Sequence, residues 1–132
     1  GIVPGCTNSP SGSNQDLKAS TCVGVVIKMD DSLGTIRNHA CETATLSQSI
    51  TSYVAGIEKL DFTKCSPAFK TAFNIHQKAW IDFTALSDKD TTMRGEMHDL
   101  FDRLEKSKDS VQFKVLSKKI WDTWAEIEKL IK

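Results

Sequence analysis

Between residues 22 and 57 the apolar and small positions fall in alternating steps of about four and three: Cys22, Val26, Met29, Leu33, Ile36, Ala40, Thr43, Ser47, Ile50, Val54 and Ile57. This is helical periodicity. A single helix carrying the whole seam would be ~40 residues and ~60 Å long, far longer than anything later in the chain offers it as a partner. The pattern therefore needs a break, and DDSLGT at 30–35 supplies one. Gly34 stops a first helix over 15–30, and Thr35 caps a second over 35–60. The β-branched run Val23, Val25, Val26 and Ile27 also suits a short strand, so 22–28 stays open between helix and strand.

Later elements have clearer punctuation. Ser66-Pro67 places an N-cap before a proline at the first helical position and opens a helix over 66–87. Asp90 or Thr91 opens another to about 106, with Met93, Met97, Leu100, Phe101 and Leu104 as its apolar stripe. Asp109 with Gln112 has the spacing of a capping box before a last helix to about 131, whose stripe is Phe113, Leu116, Ile120, Trp124, Ile127 and Ile131. Trp121 lies off that stripe and is expected to be partly exposed. Short connections make neighbours antiparallel. The expected fold is all-α: an antiparallel helical bundle of four long helices plus a shorter N-terminal helix, one domain over 15–132 behind a flexible, turn-rich leader at 1–14.

Charge narrows the function classes. Seventeen basic and seventeen acidic residues cancel. The signs stay mixed along the charged C-terminal part, so no basic face exists to attract nucleic acid. The longest apolar run, CVGVVI at 22–27, is far short of the ~20 residues that span a bilayer.

The cysteines, Cys6, Cys22, Cys41 and Cys65, form no CxxC pair. An even number beside a Gly/Ser/Pro/Asn-rich start suits disulfides in an exported protein, periplasmic or extracellular. Neither an initiator Met nor a signal peptide is present; a removed upstream segment, with or without a lipid anchor, is the expectation. Cys41 and Cys65 bracket the expected 35–60 helix and cannot approach to disulfide distance. Folding the first two helices about the midpoint between Asp31 and Ser32 sets Cys22 level with Cys41. The expected bridges are thus Cys22–Cys41 and Cys6–Cys65.

Candidate chemistry centres on FNIHQKAWIDF at 73–83. Phe69, His76 and Phe83 are seven apart, with Phe73 and Trp80 flanking, so His76 points into an apolar stripe. There it is either a neutral, hydrogen-bonded core residue or a metal or haem ligand. As a core residue it should have a depressed pKa, because the aromatic surroundings disfavour imidazolium. His39 falls ~16 Å from the level of His76 by helical rise, and His98 ~7 Å from it, so convergence on one ion is poor. His39 with Glu42 reverses the Glu-x-x-His order of di-iron bundles and occurs once. Met93 and Met97 are formal axial-ligand partners for His76, offset along the helices. No GxSxG elbow or P-loop is present. The expectation is a chain without cofactor or catalytic residues, the alternative being a metal- or haem-binding bundle that uses His76.

The segment 35–57 carries only Arg37 and Glu42 as charges, and its polar positions are mostly Ser and Thr. Either neighbouring elements cover this helix, or its hydroxyl face meets a partner through Thr45, Gln48, Ser49 and Ser52.

The heptapeptide Gln77-Lys78-Ala79-Trp80-Ile81-Asp82-Phe83 resembles the Q-[R/K]-x-W-[I/L]-x-[F/Y] core of the LprI-type exported proteins. That resemblance implies a helical, disulfide-bearing protein of the bacterial envelope associated with lysozyme inhibition. The functional expectation is an exported, non-enzymatic domain that binds another macromolecule, with a protein partner in the cell envelope.

Overall fold

The computed structural model describes residues 10–131, which form five helices: α1 (Pro10–Ala40), α2 (Leu46–Glu58), α3 (Pro67–Ser87), α4 (Met97–Glu105) and α5 (Ser110–Ile131). Among the described residues there is no strand, and 22–28 is helical. Residues 1–9, most of the expected leader and the place of Cys6, lie outside the described residues, and helix begins at Pro10.

Contacts run in opposite senses across successive helices. Cys22 meets Cys65 while Asp30 meets Tyr53. Ser47 meets Ser87 while Tyr53 meets Trp80. Phe73 meets Trp124 while Phe83 meets Phe113. Thus α1, α2, α3 and α5 each run antiparallel to the next in that series. The α3–α5 interface is the most extensive, α2 packs between α1 and α3, and α4 lies against α5. Phe69, Phe73, Phe83, Leu46, Ile50, Ile57, Leu100, Ile120 and Ile127 are fully buried at the centre.

The break in the long seam is not where the sequence pattern put it. α1 continues through 30–35, and the chain turns at 41–45. Ser32 and Thr35 hydroxyls donate to the carbonyls of Lys28 and Asp31, four residues back within the helix, so Thr35 bonds back into α1 instead of capping a new helix. The cap is Thr45, whose hydroxyl accepts from Gln48 N while Gln48 Oε1 accepts from Thr45 N, a complete capping box. The leading helix is consequently the longest, 31 residues.

The fourth helix is short, nine residues, and opens at Met97 instead of Asp90 or Thr91. Asp90 caps a local turn by accepting from Thr92 N and Oγ1. Gly95, at φ +148°, takes a conformation that side-chain-bearing residues resist, and its N–H donates to Cys41 O at 2.8 Å. Glu96 then caps α4 by accepting from His98 N and Asp99 N. The Asp109–Gln112 box does not form either: both side chains accept from Lys89 Nζ, at 3.1 and 2.6 Å. Ser66 and Pro67 open α3 as expected.

A continuous α1 also changes the cysteine pairing. Cys22 lies within α1 and Cys41 directly follows its last residue, ~28 Å away by helical rise, so their expected bridge is overturned. The antiparallel α1–α2 hairpin instead sets Cys22 beside Cys65, with Cα atoms 5.1 Å apart in a disulfide. With Cys65 taken, the Cys6–Cys65 bridge is overturned as well. Cys41 is a buried thiol whose Sγ donates to Arg37 O at 3.3 Å.

Candidate functional site: an arginine held in an aromatic cleft

The inward face of α1 follows Cys22, Val26, Asp30, Leu33 and Arg37 and runs on to Cys41 just past its end, so two charged residues lie on the packing side of the helix. Met29 and Ile36, placed on the seam by the sequence pattern, face out at 42% and 62% exposure. Gly56 allows α1 and α2 to approach closely beside this face, since a Cβ there would stand 2.8 Å from Leu33 Cδ2.

Arg37 reaches from α1 across α2 to α3. Its Cζ lies 4.4 Å from the Tyr53 ring centroid and 4.2 Å from that of Trp80. Both rings are 3% exposed, so the cation rests on desolvated π-faces, where such contacts are strongest. Nε donates to Asn38 Oδ1 at 3.2 Å. The Tyr53 hydroxyl donates to Asp30 Oδ1. Burial pushes the Asp30 carboxyl up, opposed by the Tyr53 hydrogen bond and by Arg37. Burial lowers the Arg37 pKa, opposed by Tyr53 and Asp30. Burial, then the neighbouring Asp30, raises that of the Tyr53 phenol.

His76 lies behind the tryptophan. Trp80 Nε1–H donates to His76 Nε2 at 3.2 Å, which places the ring proton on Nδ1, and Nδ1–H donates to Thr123 Oγ1 at 2.8 Å. Thr123 passes the chain on to Lys119 O at 2.7 Å. Burial, then the Arg37 charge, brings the His76 pKa down to about 4. Both ring nitrogens are engaged, so ligation of a metal or haem iron requires His76 to give up one of these bonds.

A cavity of about 220 Å³ opens over this group. Its walls are Asp30, Asp31, Thr35, Arg37 and Asn38 of α1, Tyr53 of α2, His76 and Trp80 of α3, and Ile120, Trp121 and Trp124 of α5. The chain has three tryptophans and one tyrosine, and all four line this cavity. Trp121 stands at the rim, 60% exposed.

Of the residues singled out from sequence, His76 lines the cavity and the others fall elsewhere. Thr45 and Gln48 are spent on the α2 cap; Ser49 is 2% exposed, with its hydroxyl donating to Thr45 O; Ser52 is exposed. His39 and His98 are exposed, bonded to Glu42 and Glu96. Among the described residues no three His, Cys, Asp or Glu side chains gather as a metal set. Met93 and Met97 are buried in the core. The sequence reading missed Asp30, Arg37 and Tyr53 as a group. The signal was available: Asp30 and Arg37 share the phase of Cys22, Val26 and Leu33 once α1 is allowed to continue. Compared with protein-family models, characterised proteins and solved structures, the chain matches none.

Proposed function

We propose that this chain is an exported, non-enzymatic helical-bundle domain that binds another macromolecule, and that the Arg37 cleft is the contact. The observation that carries the reading is the convergence of every tryptophan, the one tyrosine and a half-buried arginine on one open cavity. Trp, Tyr and Arg are the residue types that dominate binding energy at protein interfaces, because they combine large contact area with a polar tip. Trp121 leaves an indole mostly in water at the rim, a surface that gains on being covered. The Cys22–Cys65 disulfide favours an oxidising compartment. Within the heptapeptide that resembles the LprI-type core, Trp80 is a wall of the cleft, which makes lysozyme the first partner to try.

A photo-crosslinking residue at Thr35, exposed on the rim, should capture a protein partner in envelope extracts, whereas the same residue at Val111, 76% exposed and outside the cleft, should not. Equal capture at both positions, or none, removes the cleft as the contact. Full lysozyme activity at large molar excess of this protein removes the lysozyme-inhibitor reading alone.

A further inference from the structure

The inference here rests on the binding reading above and names the chemistry the cleft takes. Arg37 spends Nε on Asn38 and has the Tyr53 hydroxyl as a further polar neighbour, but among the described residues no carboxylate stands at ion-pair distance from the guanidinium. Asp30 is instead engaged with the Tyr53 hydroxyl. A half-buried guanidinium set against two rings, with no carboxylate paired to it, is suited to a planar two-oxygen acceptor.

A cation does not suit the cleft. Arg37 already lies over the Tyr53 and Trp80 rings, so those rings are not free to cage a second positive charge, which would also meet Arg37 itself. A dianion suits it less well than a single negative charge, since Asp30 and Asp31 share the walls with only one arginine. The cavity, about 220 Å³, is small for a free drug-sized ligand and matches one residue-sized group. Trp121 and Trp124 add apolar surface to the same cavity wall. We propose that the cleft receives a single carboxylate carried on an apolar body, with the carboxylate paired to Arg37 and the body against Trp121. A protein C-terminus, an acidic side chain and a small free acid all present that chemistry.

Intrinsic fluorescence reads the site directly, because every tryptophan lines it. Four probes separate the sources, a decapeptide ending in a free leucine carboxylate, the same peptide amidated, the amidated peptide with one internal glutamate, and sodium acetate, and inorganic phosphate is the dianion control. The free-carboxylate peptide or the glutamate peptide should bind at least ~tenfold more tightly than the amidated one, and whichever binds identifies the source. Acetate binding as tightly as either peptide assigns the site to a small acid. Arg37→Gln and Arg37→Lys should each weaken binding ~tenfold or more, the second because a point charge loses the fork. Trp121→Ala, at an exposed position, should weaken it ~fivefold or more with an unchanged thermal midpoint, which keeps the test valid if the Arg37 variants fold poorly.

Asp31→Asn decides the sign: removing an exposed wall carboxylate should tighten a carboxylate ligand and weaken a cation. Equal binding of free and amidated peptides, no response to any probe, tighter binding of inorganic phosphate than acetate, or weaker binding by Asp31→Asn overturns the assignment. A crosslink at Thr35 with equal binding of the free and amidated peptides leaves macromolecule binding standing and removes the carboxylate alone.

Discussion

His76 sits at the junction of two demands. Trp80 needs an acceptor for its buried indole N–H, and Thr123, already donating to Lys119 O, can accept. Only the neutral ring protonated on Nδ1 serves both, because imidazolium has no lone pair for Trp80. With a folded pKa of about 4 against 6.5 unfolded, the unfolded chain binds more protons between those values. Stability from this group is therefore complete above pH 6.5 and is lost as pH falls toward 4, by about 3 kcal/mol in all. Asp30, whose carboxyl is pushed up by burial, acts in the opposite sense. His76→Phe should thus flatten the loss of thermal midpoint between pH 6.5 and 4 relative to wild type; an unchanged slope would show that the imidazole titrates normally. The inward aim of His76 was legible in its spacing from Phe69 and Phe83. Its proton acceptor was not, since Thr123 is 47 residues away and is brought there only by the α3–α5 pairing.

At the scale of elements, two threonines competed for one helix start. Thr35 follows Gly34 and reads as a cap, but Thr45-x-x-Gln48 satisfies two backbone donors reciprocally, and a glycine inside a helix costs only about 1 kcal/mol. The stronger local signal won, and the break moved ten residues along the chain. Thr45→Ala should cost roughly 1 kcal/mol by denaturant unfolding. Ser49→Glu should lower the thermal midpoint sharply, because it buries a charge at a site 2% exposed, whereas Ser52→Glu on the open face should change it little. Equal effects at the two sites would contradict the placement of α2. The late start of α4 follows a similar logic. Gly95 needs a positive φ and ties its N–H to Cys41 O across the molecule, information that the local pattern at 90–97 does not carry. Gly95→Ala should destabilise by about 1 kcal/mol through backbone strain, measured by the same unfolding curves.

For the whole molecule, the consequential feature is how α1 is held. It packs mainly on α2, whereas α3 and α5 share the largest interface. α1 is fixed covalently at Cys22 and again, fifteen residues and ~22 Å further along, by Arg37 and its aromatic partners. Sequence spacing placed an all-helical core correctly, yet could not show this two-point attachment, because the cysteine pairing depends on where α1 ends. Replacing Cys22 and Cys65 by Ala should cost about 2–4 kcal/mol of stability. The loss should be local first: hydrogen exchange should accelerate through α1 near residue 22 while α3 and α5 keep their protection. Arg37→Gln should loosen the other end. Because the two attachments are too far apart to touch, their costs should add within ~0.5 kcal/mol in the combined variant. Uniform acceleration of exchange across all five helices on loss of the disulfide would mean that α1 unfolds only with the core. The cleft would then be a rigid part of the fold, with no opening of α1 available to admit a ligand.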